Sequence, residues 1–318
     1  MSWTTTIVTL MMSLTLMSAR AEDPDQIDFG TNMGVQIEQH NSGTSHFNAV
    51  GALVEMGYRA ATGDTRAISR APFLVELSVP EGRQEEAEIY LVDSVNNLKG
   101  LIFDSDLPVS TYFSSGMDYP AMSKKVQADL LPLQSKRVAL PFTLSSEKLF
   151  SYGRLQTGKL TQADLDAVIA WVRDKHSPVL VGAKFEEVID GKSYPQGLSY
   201  VVAGYSFKTN HFLVVSSKKV DVKTTGEWKP ADWFIQNVYS AVGAQLRRRD
   251  NNQDIDFTVS GKTAALAAAK EATAAKPKVV KGKETVQEVV VPRKFVSGFD
   301  AWMATVASEI HSPVKKKK

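Results

Sequence analysis

Ser145 and Lys148 are the first residues in this chain with the spacing of a nucleophile and its base. On one turn of helix, Ser-x-x-Lys sets a hydroxyl beside an amine that can take its proton, which is acyl-transfer chemistry. That chemistry calls for a later Lys-Thr-Gly element, and Lys223-Thr224-Thr225-Gly226 has one residue too many. The one Ser-x-Asn run, Ser94-Val95-Asn96, precedes the serine where it should follow. Ser216/Lys219 and Ser312/Lys315 repeat the spacing, as chance allows, so no catalytic residue is assigned from it.

Asp250, Asn252, Asp254 and Asp256 place oxygen side chains at alternate positions, as calcium loops do. Ile255 stands where such a loop needs glycine, Gly261 stands where it needs a bidentate Glu, and Arg247, Arg248 and Arg249 lie directly upstream. A polar turn is the expectation. The histidines are His40, His46, His176, His211 and His311. None has the neighbours of a zinc site, and His40 and His46 fall in a segment without periodicity. Glu85, Glu86 and Glu88 read as a solvated acidic turn between two strands. No phosphate-binding glycine loop, Gly-x-Ser-x-Gly or His-Glu-x-x-His pattern occurs, so no cofactor and no metal are expected.

The elements that must carry any chemistry begin after an export address. Ile7–Met17 is an uncharged apolar run ending at Ala19-Arg20-Ala21, a small-x-small cleavage pattern. At eleven residues the run is far short of the ~20 that span a bilayer. The chain has no cysteine, which excludes disulfides, thiolate nucleophiles and thiolate metal sites. It also has no Asn-x-Ser/Thr acceptor. These features together predict a bacterial periplasmic or secreted protein with no transmembrane span once the signal is removed.

The predicted layout is a signal peptide over 1–21, a flexible lead-in over 22–45 and a body over 46–261. The body is divisible into 46–143 and 144–261. An Ala/Lys-rich linker follows over 262–294, then an amphipathic helix over 295–311 and a basic tail over 312–318. Within the body, 46–61 reads as a helix, 72–79, 88–92 and 101–103 as strands, 122–131 as a helix and 137–142 as extended chain. Thr161 caps a helix with Asp164 three residues on, and Leu165, Val168, Ile169 and Val172 form its apolar stripe. Residues 179–185 read as a strand, and 198–207 with 211–216 as a hairpin. Phe234, Ile235, Val238, Tyr239, Val242 and Leu246 read as a second helical stripe. Clustered strands without regular strand–helix alternation predict an α+β fold, a mainly antiparallel sheet packed with amphipathic helices.

Charge divides the chain unevenly. From Lys262 on there are twelve basic and five acidic residues, against 25 and 30 before it. Lys276, Lys278, Lys281, Lys283, Lys315, Lys316, Lys317 and Lys318 form a basic arm around a terminal stripe of Phe299, Trp302, Met303, Val306 and Ile310. That stripe must dock on something. The expected partner is an envelope protein or an anionic envelope surface. Nucleic acid is disfavoured, because no aromatic residue interleaves the lysines between Lys262 and Lys294. The leading expectation is a non-enzymatic envelope protein that works through this helix and arm. The alternatives are an envelope hydrolase acting on peptidoglycan or peptide, and a small-ligand or calcium-binding module.

Overall fold

The computed structural model describes residues 25–29, 45–80, 87–108, 112, 119–152, 158–189, 192–216, 226–259 and 295–297. The signal segment, the basic arm and the stripe from Phe299 to Ile310 lie outside these residues.

One long helix and one sheet organise the body. Helix α1 (Ser45–Thr62) is buried along nearly its whole length. It lies against the sheet on one side and against α2 (Ala71–Glu76) and α3 (Ala87–Ser94) on the other. Gly51 costs helix propensity, yet it is what lets α1 in: the Arg70 side chain crosses where a Cβ would stand.

Among the described residues the sheet has seven strands, all pairs antiparallel, in the order β3-β8-β4-β5-β6-β7 with β1 added on β5. These are β1 (Gln26–Asp28), β3 (Phe142–Ser151), β4 (Val179–Ile189), β5 (Lys192–Ser206), β6 (His211–Ser216), β7 (Glu227–Pro230) and β8 (Val238–Arg248). The expected α+β class with a mainly antiparallel sheet is what forms. Helix α4 (Tyr119–Leu130) packs on α2, α5 (Gln162–Lys175) packs on the sheet, and α6 (Ala231–Asn237) leads into β8. A short β2 (Ser78–Pro80) pairs with β9 (Phe295–Ser297), so residues 295–297 are extended rather than the start of the expected 295–311 helix. No helix among the described residues is long and apolar enough to cross a membrane.

Several expectations need correction. The lead-in is not wholly loose, because β1 pairs with β5 and buries Ile27 and Phe29. Residues 71–76 are helical: Pro72 sits in the first turn, where its missing N–H costs nothing, and Ala71–Leu74 are wholly buried, so no alternation marks a strand. Residues 87–94 are also helical, with Ala87, Glu88, Leu91 and Val92 turned inward at a helical period. The second helical stripe breaks at Val238. Phe234, Val238, Val242 and Leu246 are four apart, a spacing that fits both a helix and one face of a strand. Strand β8 is paired on both edges and buried from Val238 to Ala244, which hides the alternation. Arg247 and Arg248 therefore end a strand.

The predicted start of α5 forms in full. Thr161 Oγ accepts the Asp164 N–H, and the Asp164 carboxylate accepts the Thr161 N–H at 2.7 Å and its hydroxyl at 2.8 Å. Tyr152 donates to the same oxygen at 2.9 Å. Burial pushes the Asp164 carboxyl up, but the hydrogen bonds from Thr161 and Tyr152 outweigh it and hold it below the ordinary range. Hydrogen bonds from Lys125 and Tyr112 hold Asp129 down, and those from Arg66 hold Asp64 down. Carboxylates more acidic folded than unfolded add stability above their unfolded value near ~3.9, and that stability is lost as pH falls through the folded value. Urea unfolding across pH should therefore give a stability that holds down to about pH 5 and declines below it. Asp164→Asn should remove part of that decline; an identical acid profile would exclude the cap as a contributor.

Candidate functional site

Three buried polar side chains converge where α1, α3 and β5 meet. His46 is the second residue of α1, Glu88 the second residue of α3, and Ser199 stands in β5 opposite Gly182 of β4. Ser199 Oγ lies 2.5 Å from His46 Nδ1, and Glu88 Oε1 lies 3.8 Å from the same nitrogen. The residues are 1% (Ser199), 7% (His46) and 5% (Glu88) exposed.

Each element delivers its residue for a local reason. The apolar side chains of α1 pull the helix under the sheet, which carries His46 inward from its first turn. Leu91, Val92 and Val95 anchor the α3 segment in the core and turn Glu88 with them. Ser199 sits in the middle of a paired strand between Leu198 and Tyr200, both buried.

This arrangement has a definite chemistry. With the ring proton on Nε2, Nδ1 accepts the Ser199 hydroxyl, and in that tautomer the ring is set to act as a base. When the serine proton moves to Nδ1, an imidazolium forms with a carboxylate 3.8 Å from the newly protonated atom. A charge that appears only as the proton transfers is thus stabilised more after transfer than before it. Glu88 does not hold the far side of the ring as a relay would. It is a counter-charge for the protonated state. Ser45, the first residue of α1, adds a buried Oγ with no hydrogen-bond partner among the described residues.

The sequence-based candidates fare differently. Ser145 and Lys148 are exposed on β3, where three residues of strand separate them by ~10 Å and turn them to opposite faces. The nucleophile–base reading of that pair is excluded. Lys219, Lys223, Thr224, Thr225, Glu85, Glu86, His40 and His311 lie outside the described residues, as do all residues of the predicted docking stripe and basic arm.

Glu88 was expected in a solvated turn and is buried in a helix instead, whereas His46 falls in the helix expected from residue 46 and is buried there. The Asp250–Asp256 turn spends its carboxylates internally. Asp254 takes Arg247 and Gln245, and Asp256 takes Thr258 and His176. His176 closes α5 in a left-handed conformation, and His211 opens β6. Among the described residues no group of three or more His, Asp or Glu is arranged to hold a metal ion. Ser199 carried no sequence signal at all, because its partner is 153 residues away.

No protein-family model matches the chain, and no curated protein matches it in sequence. Among solved structures, it is similar to xylellain, a cysteine protease from Xylella fastidiosa, with TM-score 0.42 and 13% identity over 70% of this chain and 87% of that one. It is also similar to a cysteine protease of Carica candamarcensis, with TM-score 0.39 and 12% identity over 68% of this chain and 98% of that one. For the bromelain protease of Ananas comosus the values are 0.37 and 13%, over 69% and 97%.

These neighbours are cysteine proteases, and the expectation of a non-enzymatic protein working through its C-terminal helix and arm is withdrawn. At TM-scores under 0.5 the likeness assigns no residue a role. A thiolate nucleophile is excluded by composition.

Proposed function

We propose that this chain is an exported serine-dependent hydrolase of amide or ester bonds, with a peptide or peptidoglycan as the substrate class. Ser199 is the nucleophile, His46 the general base and Glu88 the counter-charge of the imidazolium. The observation that carries this reading is the 2.5 Å contact from Ser199 Oγ to His46 Nδ1 with a carboxylate beside that nitrogen. The hydroxyl attacks the carbonyl carbon as its proton passes to Nδ1, and the imidazolium then returns that proton to the leaving group. Water attacks the acyl-serine by the same route in reverse. The apolar run ahead of Ala19-Arg20-Ala21 supports an envelope or secreted setting.

Burial favours a second reading. Ser199, His46 and Glu88 are each less than a tenth exposed, as groups would be that only pin α1 and α3 to the sheet. A fluorophosphonate probe separates the two. A nucleophilic Ser199 is phosphonylated in the full chain, the adduct maps to Ser199 by mass spectrometry, and Ser199→Ala or His46→Gln abolishes labelling. No adduct, together with a lowered melting temperature for Ser199→Ala, would establish the pin and end the hydrolase proposal.

A further inference from the structure

The Glu88 carboxylate stands 3.8 Å from His46, so its influence on the ring depends on where α3 sits. The end of α3 away from Glu88 is fixed closely by hydrogen bonds. The short 3-10 turn Val95–Asn97 follows α3 directly.

Its Asn96 side chain takes the place of a neighbouring strand on β3. Asn96 Oδ1 accepts the Leu144 N–H at 2.9 Å, and Nδ2 donates to the Leu144 carbonyl at 2.6 Å. One residue pair further along the same edge, Asp93 Oδ1 accepts the Ser146 N–H at 3.1 Å. Asn96 Nδ2 also donates to the Asp93 carbonyl at 3.2 Å, which joins the two clamps. Among the described residues strand β3 is an end strand of the sheet, so these backbone groups face no neighbouring strand there. From Glu88 to Asp93 the helix is a rigid strut of ~7.5 Å.

We propose that Asn96 and Asp93 are positioning residues for the reaction: by clamping the far end of α3 to the β3 backbone, they set where the Glu88 carboxylate stands against His46. The effect on turnover rests on the hydrolase reading, whereas the effect on His46 does not. The test is therefore the midpoint of the His46 imidazole titration, followed by NMR in the full chain, with labelling by the fluorophosphonate probe measured alongside.

Glu88→Gln should lower the His46 midpoint by about one unit, the scale of a carboxylate that close. Asn96→Ala should lower it by at least a third of that shift, and Asn96→Asp, which keeps the acceptor for the Leu144 N–H, by less. In a Glu88→Gln background, Asn96→Ala should add nothing. Should Asn96→Ala fail to fold, Asp93→Ala carries the same expectation. An Asn96→Ala midpoint equal to wild type overturns the proposal, as does a shift of equal size with and without the Glu88 carboxylate. Loss of probe labelling with the expected midpoints would fault the hydrolase reading and leave the clamp standing. Normal labelling with unmoved midpoints would do the opposite.

Discussion

Glu55→Ala should cost about 3–5 kcal/mol of folding stability, the range for breaking a buried ion pair by removing one partner. Glu55 is fully buried on α1 and binds two cations at once, with Arg70 2.7 Å from Oε2 and Arg59 2.8 Å from Oε1. Oε2 also accepts the Ile68 N–H at 3.3 Å. Arg70 is 2% exposed and further donates to the Ile68 carbonyl at 3.2 Å. Truncating the glutamate strands the Arg70 guanidinium in the core, where among the described residues the neutral Ile68 carbonyl is the acceptor left to it. Water cannot reach it without opening the contact between α1 and α2. Urea denaturation measures the loss directly, and a midpoint shift worth under about 1 kcal/mol would show that the network is not the anchor described. Glu55→Leu with Arg70→Met should recover most of the loss, since two apolar groups replace two desolvated charges.

The second large effect is steric. Gly243 of β8 lies against the Trp171 indole of α5, and a Cβ at 243 would overlap the six-membered ring and the Cδ2–Cε2 bond. Trp171 is itself 5% exposed and has nowhere to swing without uncovering the sheet. Gly243→Val should therefore destabilise by about 3 kcal/mol, the upper end for overpacking a core. Trp171→Ala should cost about 3–5 kcal/mol through the cavity it leaves. The two losses should not add, because the valine fills part of the space the indole vacates. Strict additivity in thermal or urea unfolding of the double variant would refute this account of the contact.

What was legible in the sequence follows from the range of each signal. The Thr161 cap, the α5 stripe and the hairpin of β5 and β6 are local patterns. Each forms where composition and spacing place it, because capping and turn formation are settled within a few residues. Strand β8 and helix α2 were misread for one shared reason. Chain buried on both sides has no polar face, so periodicity loses the contrast that separates a helix from a strand. The site was illegible for a different reason. His46, Glu88 and Ser199 are ordinary residues with ordinary neighbours, and only the packing of α1 and α3 against the sheet makes them a set. Glu88 even carried a misleading cue, since it follows Glu85 and Glu86 and shares their charge but not the surface position expected of such a run.

Phe29, just past β1, and Phe257, beyond the turn that follows β8, touch ring to ring at 5.8 Å, and the Phe257 N–H is held by the His176 carbonyl at 3.0 Å. The beginning and the end of the body are thus stitched to one another. Closing that seam joins residues far apart in the chain, so it belongs late in folding and is an early place for fraying to start. Any tether pulling outward on the segment before Asp25 or after Val259 would load this seam first, ahead of the sheet or the buried charges.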